Sequence, residues 1–518
     1  MEKNSLTPVA AFVDLDPETS PAPPDAVETH ISVVMFAGTR AYKLYKPVSL
    51  PYIELGTVEA RHRVLREELE LNRRFSPDVY LGLTALMDEQ GAVHDHALVM
   101  RRMPADRRLS VLLHTPEAES ALWAVARRVA AIHASARPAP AGAAGVEAIR
   151  HNWDNNFAAL ETCRGTVLDG EDLDRARDLA TQYLDGRSEL FEARAAHGHV
   201  VDGHGDLLAQ DIFLLDDGPR ILDCLAFDED LRFGDVLADI AFLVMDVEQE
   251  IGAGHARRLM EWYHEFSNES HPGSLGHFYV AYRASVRAKV ASARCAQGDA
   301  DAPGEVRRLM GLCLDHLARA QVQLILVGGT PGTGKSTVSA QLGHASQWSV
   351  LRSDELRKEI VGMPTQAHRP AEPGEGIYDQ TTTGATYALM LERARKLLTL
   401  GQTVILDASW PTEALRNEAR TLAEETHSRL TEIECITPAA TADDRIRRRS
   451  EQGHDVSDAT MKVAGVMRSN AEPWPQALRL DTDRRIEKVT QEAIWIAVTG
   501  TPVPTPEPRR PDAWWPLT

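Results

Sequence analysis

The stretch "VQLILVGGTPGTGKST", Val322 to Thr337, runs from an apolar segment through a glycine-rich turn into residues that can open a helix. Within it, "GTPGTGKS" fits G-x-x-x-x-G-K-[ST] through Gly329, Gly334, Lys335 and Ser336. Glycines let such a loop curl until its N–H groups and the following helix N-terminus surround a phosphate. The whole segment Gly329, Thr330, Pro331, Gly332, Thr333, Gly334, Lys335, Ser336 and Thr337 is therefore expected to hold a nucleotide. Lys335 would reach the β- and γ-oxygens, and Ser336 would ligate Mg²⁺.

Downstream, "WSVLRSD", "TVILDAS" and "TEIECIT" read as further strands separated by helical segments. Alternation of this kind predicts an α/β domain with a mainly parallel sheet, covered on both faces. "LRSDELRKE" puts Asp354 at a strand end and Arg357 on the next helical turn. An aspartate there can take a proton from a substrate hydroxyl, and the arginine can hold a phosphate or orient the aspartate; a capping Asp with a solvated Arg is the alternative. Asp407, where the strand in "TVILDAS" ends, is placed to support a metal or its waters. "DDRIRRRSEQG" adds Arg445, Arg448 and Arg449 on a helix.

These features, over about Gln321 to Val498, resemble the small P-loop kinases that include polynucleotide kinase, gluconate-kinase-like enzymes, chloramphenicol phosphotransferase and zeta-toxin relatives. The resemblance implies ATP as donor, Mg²⁺ as cofactor, Asp354 as general base, Arg357 as substrate clamp, and Arg445 and Arg449 as lid residues over the phosphates. It leaves the hydroxyl acceptor open.

Upstream lies a second phosphate-handling pattern, "DGHGDLLAQDIFLLDDGPRILDC", Asp202 to Cys224. A protein-kinase-type site needs a base at the nucleophile, two groups on Mg²⁺ and a cation on the phosphates. Asp206 can be the base, with Asp211 and Asp223 as the metal groups. "HGD" in place of "HRD", together with "FGDVLADIAFL", resembles the aminoglycoside phosphotransferases and choline-kinase relatives over about Glu28 to Ala320. That resemblance implies a bilobal α+β kinase-like domain in which "AYKLYKP" supplies Lys43 and "REELELNRR" its partner Glu68. Lys46 competes with Lys43, and Glu67 and Glu70 with Glu68. Asp235 and Asp239 would brace the catalytic loop. Asp211 stands where the pattern has Asn, and its extra charge either strengthens Mg²⁺ binding or disables an empty site.

The order of patterns divides the chain into a flexible segment 1–25, a kinase-like domain 26–320, a P-loop kinase domain 321–499 and a Pro-rich tail 500–518. At that level it resembles bacterial fused phosphotransferase/ATP-binding proteins. "THISVVMFAGTRAYKLYKPV" reads as two strands about a turn, and Val58 to Phe75 as a helix. Trp153, Tyr282 and Arg283 are candidates for an acceptor cleft or for the core.

Composition sets the partners. Lys and Arg total 56 against 76 Asp and Glu, a net charge of −20, which repels a phosphate backbone and weighs against nucleic acid. Five cysteines without metal-ligand spacing, and no long apolar run, fit a cytoplasmic enzyme acting on a small-molecule hydroxyl, with no membrane partner. Oligomeric state is not encoded in these features.

Overall fold

The computed structural model describes residues 25–28, 31–50, 53–88, 90–140, 142–226, 228–364, 379–452 and 461–503. The segment expected at 1–25 lies outside them apart from Asp25, and the tail expected at 500–518 lies outside them beyond residue 503. The chain splits into two compact units, one of residues up to Ala148 plus Arg194–Ser270, the other of Ile149–Ala193 plus the chain from His271 onward.

In the first unit, the strands Asp25–Glu28, Ser32–Ala37, Arg40–Tyr45, Val93–Arg101 and Tyr80–Met87 lie side by side in that order, every pair antiparallel. The turn Gly38–Thr39 closes the expected hairpin. Helix Val58–Asn72 begins at Thr57, whose side chain accepts from the Ala60 N–H, and it ends before the expected Phe75. Its buried side, Val64, Leu65 and Leu69, packs with Tyr45, Val79, Tyr80 and Leu98. Each such aliphatic side chain contributes roughly 1.5–3 kcal/mol by leaving water. The aspartate-rich stretch forms the strand Val200–Asp202, paired antiparallel with Phe233–Asp235, and a hairpin of Ile212–Leu215 with Gly218–Ile221. Helix Val236–Ile251 follows, buried from Val236 to Met245.

The second unit contains five parallel strands in the order Ser349–Arg352, Val404–Asp407, Gln323–Gly328, Arg429–Ile436, Leu478–Asp481. The P-loop strand is central and every residue in it is buried. Val338 and Leu342 of helix Lys335–Ser346, with Val489, Ala493 and Ile496 of helix Ile486–Thr499, pack against Ile325, Val327, Ile405 and Ile433. Helical segments preceding the P-loop domain also belong here. Arg187, at the end of helix Gly170–Gly186, is 1% exposed and donates to Thr426 O at 2.7 Å and to Ser428 Oγ at 3.2 Å. Burial lowers its guanidinium to about 10. Trp153 is buried against Phe157, Phe278 and Tyr282, so among the described residues it builds core.

Candidate active sites

In the first unit, strand Arg40–Tyr45 and helix Val58–Asn72 bring Lys43 Nζ to 2.7 Å from Glu68 Oε1. Glu68 is 1% exposed and also accepts from Tyr45 Oη at 2.9 Å. Lys43 Nζ lies 2.9 Å from Asp223 Oδ1 as well. Burial works against the Lys43 charge, but the Asp223 and Glu68 carboxylates outweigh it and hold the ammonium well above its ordinary value. Lys46, the competitor, pairs instead with the exposed Glu28 at 2.6 Å.

Asp223 adopts a left-handed backbone, φ 63°, a region that aspartate enters more readily than most residues. Tyr80 Oη accepts its N–H at 3.0 Å, and Asn72 Oδ1 accepts the next amide, Cys224 N–H, at 2.8 Å. Asp211 is tied to the same place through its backbone, its carbonyl accepting from Leu222 N–H at 2.9 Å. The loop carrying Asp206 is braced by Asp239, which accepts from the His204 and Gly205 amides at 2.7 and 2.9 Å. His133 Nε2 lies 3.2 Å from Asp239, and Asp235 caps helix Val236–Ile251 through Leu237 N–H at 2.8 Å. His204 is buried, with Nε2 3.0 Å from Leu222 O, and burial lowers its pKa.

Burial, then Asp223, then Asp206 push the Asp211 carboxyl well above the usual carboxylate range, whereas Lys43 holds Asp223 below it. The crowding of Asp206, Asp211 and Asp223 is what a divalent cation would relieve, so the donor set fits Mg²⁺. A carboxyl whose pKa is raised in the folded state costs stability once pH exceeds its unfolded value, and the full cost is present above its folded value. Asp211→Asn is therefore expected to raise the metal-free stability at neutral pH, and to lose that advantage as pH falls to about 4, where unfolded aspartates protonate. Urea unfolding in EDTA at the two pH values measures it.

In the second unit, Gly332 (φ 88°) sits where a Cβ would lie 2.5 Å from Ala442 O, so only glycine fits this bend. The loop carbonyls are held from outside: Thr482 Oγ1 donates to Thr333 O at 2.6 Å, and Arg445 Nη1 reaches Gly332 O at 3.4 Å. Arg445 Nη2 also donates to Thr482 O at 2.8 Å. In this structure Arg445 thus grips the loop's backbone. Arg449 lies in helix Ala439–Gln452, with its side chain outside the described residues.

Lys335 and Ser336 open the helix Lys335–Ser346, whose N-terminus favours anions. Asp407, 3% exposed, ends the neighbouring strand. Burial raises its pKa, opposed by the Lys335 charge and the Ser336 hydroxyl beside it. Asp407 Oδ1 is buried with no hydrogen-bond partner, while Oδ2 accepts from Arg352 Nε at 3.3 Å. A buried, unpartnered carboxylate oxygen next to a serine hydroxyl fits a divalent cation. Asp354 and Arg357 lie within helix Ser353–Ile360, 3.8 Å apart at Oδ1 and Nη1, so the aspartate sits in the first turn beyond the strand.

Several residues at these sites carried no sequence signal of their own. Thr482 follows a fifth strand that is only four residues long, and Tyr387 and Trp410 meet near Asp407 from separate segments.

A family model described as "AAA domain" matches residues 324–474. Uncharacterized protein Rv2004c of Mycobacterium tuberculosis is 36% identical over 494 residues, covering 93% of this chain and 97% of the relative; Mb2027c of Mycobacterium bovis matches equally. Among solved structures, a choline/ethanolamine kinase family protein from Mesorhizobium loti covers 57% of this chain and 92% of its own, at 16% identity and TM-score 0.37. APS kinase CysC of Mycobacterium tuberculosis covers 34% and 97%, at 20% identity and TM-score 0.27. A putative kinase from Chloroflexus aurantiacus covers 34% and 97%, at 20% identity and TM-score 0.28. At 36% identity along almost the whole of both chains, with the P-loop domain in place, the chain belongs to one family with the mycobacterial protein Rv2004c.

Proposed function

We propose that this chain is an ATP- and Mg²⁺-dependent phosphotransferase of the cytoplasm that moves a γ-phosphoryl group to a small-molecule hydroxyl. It has one catalytic site in a kinase-like domain, 26–320, and another in a P-loop domain, 321–499. The observation that carries the two-site reading is Lys43 held between Glu68 at 2.7 Å and Asp223 at 2.9 Å. Any buried lysine needs a carboxylate partner; this one is held by a helix glutamate and by an aspartate of the aspartate-rich stretch, the arrangement that presents a lysine charge to α- and β-phosphates.

In the first site Lys43 binds the phosphates, Glu68 orients it, Asp206 takes the acceptor proton, and Asp211 and Asp223 would hold Mg²⁺. In the second, the loop amides from Gly329 to Thr337 and Lys335 bind the phosphates. There Asp354 takes the proton, Arg357 clamps the substrate, Arg445 with Arg449 secures the loop and its lid, and Ser336 with Asp407 would hold Mg²⁺. Bound Mg²⁺ supplies neutralisation of the charge that builds on the phosphoryl oxygens.

The supporting experiment is a panel of hydroxylated metabolites assayed for acceptor-stimulated ATP consumption. At least one compound is expected to stimulate ADP release and to appear as a phosphorylated product; ATP consumption that no acceptor alters would count against the reading. A second reading, in which the first site binds nucleotide without turnover, is favoured by the extra charge of Asp211 beside Asp223. Phosphorylation of nucleic-acid 5′-hydroxyls is disfavoured by the net charge of −20.

A further inference from the structure

Just beyond Asp407, Trp410 has φ 50° while only 1% exposed. A bulky L-residue keeps such a conformation only where its surroundings over-determine it, and such outliers cluster at working sites. Here the surroundings are explicit. Tyr387 Oη accepts the Trp410 N–H at 3.1 Å, Arg416 Nη1 donates to Trp410 O at 2.9 Å, and the indole Nε1 donates to Leu406 O at 3.4 Å. The Trp410 ring meets the Tyr387 ring edge-on at 5.1 Å.

The residue this arrangement aims is Ser409, half-buried, whose Oγ is 3.3 Å from Tyr387 Oη. Burial raises the Tyr387 pKa, so the phenol keeps its proton at neutral pH. Either hydroxyl can donate in this contact; with Tyr387 Oη accepting from the Trp410 N–H and giving its own proton to Ser409 Oγ, the serine proton is free for a third group. The charges of Arg357 and Asp354 both act on Tyr387, so this corner adjoins the residues assigned to the acceptor.

We propose that Ser409 is an acceptor-binding residue of the P-loop site, with Tyr387 and the strained Trp410 as its positioning residues. Its hydroxyl donates to a second oxygen of the substrate while the reacting hydroxyl lies at Asp354. The acceptor class is thus a compound with two neighbouring oxygen functions, such as a polyol, and not a simple mono-alcohol. This rests on the phosphotransferase reading above.

The test uses the full chain carrying Asp206→Asn, so that only the P-loop site is read, with the best acceptor from the panel. Ser409→Ala is expected to raise acceptor KM about tenfold, the size of one lost hydrogen bond, with affinity for a fluorescent ATP analogue and Tm unchanged. Ser409→Thr is expected to recover much of that loss, and Tyr387→Phe to weaken kcat/KM in the same direction. An unchanged acceptor KM in Ser409→Ala overturns the proposal, as does an equal loss of nucleotide affinity, which would mark a structural role. A parent protein that phosphorylates no acceptor overturns the phosphotransferase reading of this site and the proposal with it.

Discussion

Lys335→Ala is expected to lower turnover at the P-loop site by about 10²- to 10³-fold, the effect of removing one preorganised electrostatic contact to the transition state. Lys335 is the first residue of helix Lys335–Ser346, so alanine continues the helix and the loop bend at Gly332 is untouched. The loss should fall on kcat more than on acceptor KM, because charge on the phosphoryl group grows toward the transition state. Steady-state kinetics in the Asp206→Asn background, with Tm as the folding control, checks it.

Asp206→Asn is expected to lower turnover at the kinase-like site by about 10²- to 10⁴-fold, since an amide of equal size cannot take the acceptor proton. Its surroundings limit collateral damage. The backbone of the loop is held by Asp239 through the His204 and Gly205 amides, and Asp239 is itself beside His133. Removing one of three neighbouring negative charges should also ease the ionisation of Asp211. Lower turnover with retained or tighter nucleotide binding is the expected pattern, read by kinetics and by titration of a fluorescent ATP analogue.

Local chemistry was legible in the sequence where one short motif defines one backbone path. The P-loop reads directly because Gly329 and Gly332 must take positive φ and Lys335 must follow. The choice of Lys43 over Lys46 came from the resemblance; in the structure Lys43 pairs with Glu68 and Lys46 with Glu28. What stayed hidden depends on contacts between distant segments. Strand Tyr80–Met87 carries a register irregularity between Tyr80 and Gly82 that blurs its alternation. Strand Leu478–Asp481 is four residues long and lies past a polar stretch, yet the threonine after it grips the P-loop. Arg445 reads as a lid arginine in a basic helix, while its hydrogen bonds to Gly332 O and Thr482 O come from segments more than thirty residues away in each direction. Ser409 closes "TVILDAS", where Asp407 drew the reading; only the fold brings Tyr387 to the serine.

The central question is whether the kinase-like site performs chemistry of its own. The most direct measurement is acceptor-stimulated ADP release by Lys335→Ala, in which the P-loop site is disabled and Lys43, Glu68, Asp206, Asp211 and Asp223 are intact. Residual release above background is expected, vanishing when Asp206→Asn is added. Release already at background in Lys335→Ala, with the protein folded and Asp206→Asn alone fully active, would contradict the two-site reading.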